Sequence, residues 1–563
     1  MIKTLHQKTI SHLQLVICFI LGLCILPSVS IMAQDAAAVQ AIDQLLSSHY
    51  LTDQPGATVL VAKDGKVIFK KAYGLATLTP LTKNTIQHTF RIGSVTKQFT
   101  AVAILQLVNQ NKLKLSDPIR MYLPDYPEHA QAVTIENLLT HTSGIKSYTD
   151  IIELRSAANK AANKSLDERM DDFKNLPLEF EPGTKYRYSN SGYFLLGRII
   201  EKVSGLSYAN YLKKNIIQPL GLSSTYFGDN APTDRMTKGY KQGENGFEVA
   251  DYVHPSLPFS AGALTTTVED LWKWSQAVFT YKVLPASVMT KAWEPFTLKD
   301  GSKINYGYGW SFARIDDLKV IDHGGFIDGF FSYVLNVPEK KLIVCILSNS
   351  ASAAVGVEAF DIARIAIHQP IKNPAPTTVA KNILDEYQGV YEATDKELWE
   401  ISSTENTLVA KRSRSEEVLV PFGQDQFFVQ GSPDKFLFGR DQKGVIQSFL
   451  YQGYGWINTQ ASKTNQLKLE GKKSISMDNT VFDQYVGEYE LAPQYVVTVW
   501  REGFAFKAQA TGQPVYEIFP ESDRKFFLSV ADVTLEFLRD EKQKVTGLVL
   551  SMGGHQTPGK KVK

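Results

Sequence analysis

Tyr387 and Tyr485 stand 98 positions apart in matching surroundings, and this internal repeat constrains the fold of the 563-residue chain more than any other feature. Leu384-Asp385-Glu386-Tyr387-Gln388-Gly389-Val390-Tyr391-Glu392 is answered by Phe482-Asp483-Gln484-Tyr485-Val486-Gly487-Glu488-Tyr489-Glu490. Later features recur in the same order. Pro421-Phe422 with Phe427-Phe428 matches Phe519-Pro520 with Phe526-Phe527, and Phe438-Gly439-Arg440-Asp441 matches Phe537-Leu538-Arg539-Asp540. Helical periodicity nearly vanishes in this tail, replaced by short alternating strands with Gly and Asp turns. Copies of about 90 residues are too long for solenoid units but suit two small antiparallel β-barrels. The expected boundaries are 382–470 and 478–563, behind a linker at 371–381 that contains Pro374 and Pro376. Neither copy carries recognisable catalytic groups. Their expected work is to limit access to a site elsewhere or to mediate assembly.

The region before the linker, 34–370, has a different texture. An amphipathic helix is expected from Ala36 to Ser47. Ala57 to Lys63 and Lys66 to Gly74 flank Asp64-Gly65, a strong hairpin signal. A second hairpin is expected much later, where Phe330 to Val337 and Leu342 to Ser348 flank Pro338-Glu339-Lys340-Lys341. The sequence between them reads mostly as helix and loop. Strands at both ends and helices between them predict one α+β domain closed by an antiparallel sheet.

Hydrophobic content of 44% and charged content of 21% are those of a globular protein. A net charge of +2 gives no reason to expect a nucleic-acid partner. The first 33 residues form a signal-peptide pattern: Lys3 and Lys8, an apolar run from Leu13 to Ala33, then polar Gln34-Asp35. Cleavage after Ala33 is expected, although Ile31 is larger than the small residue usually found there. The reading is therefore export to the periplasm or beyond, with no stable membrane span after cleavage. An uncleaved anchor is the alternative, and Cys24 lacks the small preceding residue of a lipidation site. Outside this segment only Cys345 remains, within an apolar run, so neither an intramolecular disulfide nor a cysteine zinc site is expected.

Four Ser-x-x-Lys tetrads occur: Ser94 to Lys97, Ser143 to Lys146, Ser432 to Lys435 and Ser522 to Lys525. A serine hydroxyl needs a base to become a nucleophile, and positions three apart on a helix share a face. Only Ser94 opens a long helix, with Val95, Phe99, Val102, Leu105 and Val108 as its apolar stripe. Burial there would lower the pKa of Lys97 and make it a base. The other tetrads lie in turns, charged loops or after a helix end. No Gly-x-Ser-x-Gly elbow is present, which argues against an α/β-hydrolase.

A second element is Tyr188-Ser189-Asn190. A tyrosinate at Tyr188 could relay the serine proton, and Asn190 offers an amide to substrate and to Lys97. The competing Tyr208-Ala209-Asn210 lies in a helical run, so Tyr208 reads as core. The third element is His323-Gly324-Gly325, followed by Phe326. Its glycines are expected to let substrate approach a strand edge.

These three elements, in this order, resemble the serine β-lactamase-related superfamily, which includes class C β-lactamases, penicillin-binding proteins, D-aminopeptidases and esterases. Leu138 to Ile145, Glu181-Pro182-Gly183 and Ser260 to Leu264 resemble it as well. The resemblance covers about 36 to 368. It implies a five-stranded antiparallel sheet flanked by helices, with a helical subdomain carrying Tyr188. It also implies that Ser94 is acylated with Lys97 and Tyr188 as its proton partners, and that Asn190 orients substrate. The N–H groups of Ser94 and Phe326 would form the oxyanion hole, and His323 would hold the far end of the substrate or support Tyr188. No cofactor or metal is implied. The substrate would be a small amide, an ester or a D-amino-acid peptide such as cell walls contain. The tail resembles the lipocalin-like barrels of some members. Penicillin-recognising members usually carry lysine where His323 stands, a departure that argues against strong β-lactamase activity. A β-lactamase proper and a non-catalytic penicillin sensor remain the alternatives, and oligomeric state is not legible.

Overall fold

The computed structural model describes residues 36–563, apart from short stretches at 244–245, 352–353, 371–373, 394–396, 413–414, 431, 433, 454–457, 466–474, 476, 494, 503–504, 512, 514, 529–532 and 553–554. The expected signal segment, 1–33, lies outside them. No helix among the described residues is long and apolar enough to cross a membrane.

The part of the chain before the linker is built on one antiparallel sheet. Its strands run, in spatial order, Ser311–Ile315, Leu318–Ile327, Phe330–Val337, Leu342–Ser348, Ala57–Lys63 and Lys66–Tyr73. That is six strands, one more than the resemblance implied. The additional edge strand, Ser311–Ile315, is short and turns back through Asp316, which adopts φ 52°. The first strand does not stay beside its own hairpin partner alone. Ala57 pairs with Tyr73 on one side and with Ser348 on the other. Ala57–Lys63 is buried along almost its whole length, as a strand covered on both faces should be.

The two faces of that strand feed two cores. Val59 and Val61 point to a layer holding Ile42 and Leu46 of the 36–49 helix and Phe360 and Ile362 of the helix Val355–Ala366. Leu60 and Ala62 point to the larger core, with Phe99, Val102 and Leu105 of the helix Thr96–Asn109. That helix is wrapped on all sides: Thr96 through Leu105 are all buried. The apolar stripe is correct as far as it goes, but Thr96, Gln98 and Thr100 are buried too. A helix buried all round is the signature of a domain centre rather than of a surface. Cys345 is buried in the same larger core, and burial raises its thiol pKa.

Beyond residue 374 two closed eight-stranded antiparallel barrels follow, spanning Gly389–Ala393 to Asn458–Lys463 and Gly487–Ala492 to His555–Lys561. The repeat is carried into detail. Tyr391 Oη donates to the Tyr387 carbonyl at 2.7 Å, and Tyr489 Oη to the Tyr485 carbonyl at 2.6 Å. Asp441 Oδ1 accepts from the Lys443 and Val445 N–H groups, and Asp540 Oδ1 from those of Lys542 and Lys544. Each barrel is entered through one helical turn, Lys381–Leu384 and Asn479–Phe482, which the strand-only reading of the tail does not contain. The linker is also less free than its prolines suggest, since Thr377 N donates to the Pro421 carbonyl at 2.8 Å. Aromatic side chains fill both barrels, among them Tyr391, Trp399, Phe436 and Phe449 in one and Tyr489, Phe506, Phe526 and Phe537 in the other. Small barrels of eight strands are filled in this way.

Candidate active site

Ser94 lies in a single 3-10 turn, Gly93–Val95, wedged between the strand Phe90–Arg91 and the helix Thr96–Asn109. The turn is possible because Gly93 takes φ 47°, and a Cβ there would lie 2.6 Å from the Phe326 carbonyl oxygen. The strand Leu318–Ile327 presses on the same segment from the other side. A Cβ on Gly325 would sit 2.0 Å from the Ile92 carbonyl oxygen. Ser332 Oγ donates to that carbonyl at 2.8 Å. Gly325 lines the cleft, and its bare Cα also lets the protein's own backbone approach. Gly324 lines the cleft as well.

Lys97 sits one helical turn on, at 0% exposure. Its Nζ lies 3.0 Å from Ser94 Oγ, 2.7 Å from Asn190 Oδ1 and 2.9 Å from the Ala261 carbonyl. Burial pushes its pKa well below the ordinary lysine value. A neutral amine has two N–H donors and one lone pair. Asn190 Oδ1 and the Ala261 carbonyl, which can only accept, take the two donors. The lone pair is then left for the Ser94 proton. Asn190 is fixed in turn at the start of the helix Asn190–Ser204, its N–H on Ser147 Oγ at 3.0 Å and its Nδ2 on Thr149 Oγ1 at 3.3 Å.

Tyr188 shares a side-chain hydrogen bond with Ser94, and Lys97 Nζ lies 4.8 Å from the centre of its ring. Burial raises its pKa, so the resting group is the neutral phenol. Burial also drives Lys97 towards neutrality, so the phenol is favoured over the tyrosinate expected from the sequence.

His323 is 5% exposed and lies within the strand Leu318–Ile327. Nδ1 is 2.5 Å from the Gly324 carbonyl, which can only accept, so Nδ1 carries the proton and Nε2 accepts from Tyr306 Oη at 2.8 Å. Burial, aided by Lys97, lowers its pKa to about 3. The ring therefore supports Tyr306, and only ring packing at 6.4 Å links it to Tyr188.

Two chambers meet at Ser94. One, of about 720 Å³, is lined by Tyr188, Tyr306, His323, Phe326, Phe331 and Val357 among others. The other, of about 470 Å³, is lined by Asn190, Arg155, Lys160, Leu257, Asp328 and Gln513 among others. The serines of the remaining tetrads are engaged locally. Ser143 Oγ accepts from Ile145 N, Ser432 Oγ from Asp434 N and Ser522 Oγ from Lys525 N, each closing a local turn. Tyr208 is fully buried with its hydroxyl on Thr100, as core.

Comparison with known proteins shows the family. A family model described as Beta-lactamase matches residues 41–367. The chain belongs to the beta-lactamase family. A second model, a domain of unknown function (DUF3471), matches 471–561, the second barrel. Penicillin-binding protein 4* of Bacillus subtilis is 26% identical over 506 residues, which are 87% of this chain and 91% of that protein. The octameric penicillin-binding protein homologue from Pyrococcus abyssi shares the fold with a TM-score of 0.54 at 23% identity, over 76% of this chain and 99% of that one. A penicillin-binding protein from Bacillus halodurans matches with a TM-score of 0.50 at 26% identity, over 58% and 98%.

Within this beta-lactamase-family site, two residues escaped the sequence reading. His141, at φ 58°, stacks 4.1 Å from the Tyr188 ring, and its Nδ1 accepts from Ser189 N at 3.1 Å. Its stretch, Leu138 to Ile145, had a family likeness but no assigned chemistry. Tyr306 carries no local signal beyond an aromatic and glycine-rich run, Tyr306-Gly307-Tyr308-Gly309-Trp310.

Proposed function

We propose that the protein is an exported serine hydrolase that cleaves small esters and amides through a Ser94 acyl-enzyme and releases an uncharged leaving group. The observation that carries this reading is the 3.0 Å contact between Ser94 Oγ and a buried Lys97 whose other two partners are both acceptors. Lys97 takes the Ser94 proton as Oγ bonds the substrate carbonyl carbon. The Ser94 and Phe326 N–H groups receive the oxyanion. Tyr188, already protonated, gives its proton to the departing oxygen or nitrogen as that bond breaks, and Lys97 returns a proton to Tyr188. Water then repeats the sequence against the acyl-enzyme.

Tyr188 lines the larger chamber and Asn190 the smaller one, so the leaving group departs on the Tyr188 side and the acyl group lies on the Asn190 side. Among the described residues lining the larger chamber there is no lysine or arginine, and His323 is uncharged. Ile304, Phe312, Phe326 and Val355 make its walls largely apolar. An alcohol or neutral amine fits such a chamber, whereas the carboxylate of a β-lactam or of a C-terminal D-amino acid would lack a cation.

A fluorophosphonate probe followed by intact-mass measurement tests the nucleophile, with Ser94→Ala and Ser143→Ala as variants. One adduct, lost only in Ser94→Ala, together with turnover of 4-nitrophenyl butyrate, is expected. Labelling that survives Ser94→Ala would reject the assignment. Labelling without turnover would make the protein a sensor.

A further inference from the structure

Resting on that reading, we propose that the smaller chamber is an acyl-side specificity pocket for a carboxylate-bearing acyl group, read by Arg155 with a wall supplied by the second barrel. The chamber is lined by Ser94 and Asn190 and also by the charged residues Arg155, Lys160 and Asp328. Most of its charges are already matched. Lys160 Nζ lies 2.6 Å from Asp328 and 3.4 Å from Asp251, and Lys241 Nζ lies 3.5 Å from the same Asp251. Arg155 is the exception. Its Nε donates to the Thr149 carbonyl at 3.1 Å, which orients the guanidinium, and no carboxylate among the described residues pairs with it. The cluster thus holds three cations against two carboxylates, and the surplus sits on a planar, forked donor suited to a carboxylate. Asp328, by contrast, is engaged by Lys160, which leaves it a poor receiver for a substrate ammonium.

Leu154, Val253, Leu257 and Pro258 give the same chamber apolar walls. Such walls suit a short methylene chain. An ω-carboxyacyl group, the half-ester or half-amide of a dicarboxylic acid, satisfies both ends at once. Two observations bring the second barrel to this pocket. Gln513, in the loop between the strands Ala505–Ala510 and Tyr516–Pro520, lines it. Tyr495, in the strand Tyr495–Glu502, lies close enough for the charges of Arg155 and Lys160 to act on its phenol. The loop is braced by Gln509 Nε2 on the Gln513 carbonyl at 3.1 Å. The second barrel therefore shapes which acyl groups fit.

The test uses the full chain and the mono-4-nitrophenyl ester of glutaric acid against 4-nitrophenyl valerate, read as the ratio of kcat/KM values. The native protein should favour the glutarate ester by about tenfold or more, as expected for a charge-assisted contact. Arg155→Gln should lower the ratio by about tenfold, Arg155→Glu should invert it, and Arg155→Lys should retain part of it. Gln513→Ala should change the ratio by a smaller factor in the same direction. A native ratio near one, or a ratio insensitive to Arg155, overturns the proposal. So does a marked preference for a D-alanyl ester that Asp328→Asn abolishes, which would make the pocket a receiver of cations. Calorimetric titration of monomethyl glutarate into the Ser94→Ala protein separates this proposal from the hydrolase reading. Binding that weakens at least tenfold in Arg155→Gln supports the pocket even without turnover. No binding, or binding indifferent to Arg155, refutes it even if Ser94 proves to be the nucleophile.

Discussion

Tyr306 donates its hydroxyl proton to His323 Nε2 across 2.8 Å, and the opposite ring nitrogen is occupied by the Gly324 carbonyl. Both ring nitrogens are therefore satisfied by an uncharged imidazole. A lysine in its place would put a second amine into the same buried site, where burial already lowers the pKa of both His323 and Lys97. His323→Lys is expected to lower Tm by more than about 5 °C and to give no gain on carboxylate-bearing leaving groups. A stable variant that turns over a cephalosporin better than the native protein would contradict this.

The pH dependence of acylation should follow Lys97. The reaction needs its neutral form, so kcat/KM rises with pH through a pKa held below the ordinary lysine value of about 10.4. His323, at about 3, stays neutral across the working range and adds no inflection near 6.5. Pre-steady-state acylation rates between pH 5 and 10 check this. If His323→Gln moved the acid limb by a full unit, the assignment to Lys97 would be wrong.

Lys97 and Tyr188 pass one proton between them, so their losses should not multiply. Lys97→Ala and Tyr188→Phe should each lower acylation by at least about a hundredfold, and the double variant should be far less impaired than the product of the two. Strictly multiplicative losses would separate them.

Gly325→Ala tests the seat of the nucleophile without touching its chemistry. The new methyl group meets the Ile92 carbonyl at 2.0 Å, and the backbone next to Ser94 must move. A displacement of about 1 Å can cost about a hundredfold in rate, so kcat should fall by that order. Unchanged kcat, with the fold intact by circular dichroism, would show that the strand can retreat.

Asp322 lies in the same strand, fully buried, with its carboxyl on Ser311 Oγ at 2.5 Å and Tyr333 Oη at 2.8 Å. Burial raises its pKa to about 7. Between about pH 4 and 7 the folded protein holds a proton that the unfolded chain has released, so this group makes stability fall as pH rises through that window. His323 acts with the opposite sign, since stability it contributes is lost as pH drops below about 6.5. Asp322→Asn should therefore stabilise at pH 7.5 relative to pH 5, compared with the native protein, in urea unfolding. Parallel pH profiles for the two proteins would rule this out.

How much of this was legible in the sequence depends on whether a feature is local. Ser94, Lys97, Tyr188 and Asn190 lie on helix starts with short-range signatures, and the structure brings all four together. The barrel repeat was readable because Tyr387 and Tyr485 each sit in a nine-residue match. Tyr306 and Gly325 act through partners far along the chain, His323 and Ile92, and nothing beside them announces that. The protonation of Tyr188 was not legible because burial belongs to the assembled core. Arg155 in a polar helical loop resembles any surface arginine until Asn190 and Gln513 are placed around it.

The seat of Ala57–Lys63 between its hairpin partner and the strand Leu342–Ser348 has a consequence for the order in which the molecule is built. During synthesis this apolar strand emerges early and keeps one open edge until Ser348 has been made. Open apolar edges invite pairing with other chains. Within each barrel every pairing except the closing one, Tyr391 with Lys463 and Tyr489 with Lys561, joins strands adjacent in sequence, so the barrels should fold more readily. The nascent catalytic half is thus the part that needs protection, and a chain stalled before residue 348 should be held by a chaperone or aggregate, however sound its two barrels would have been.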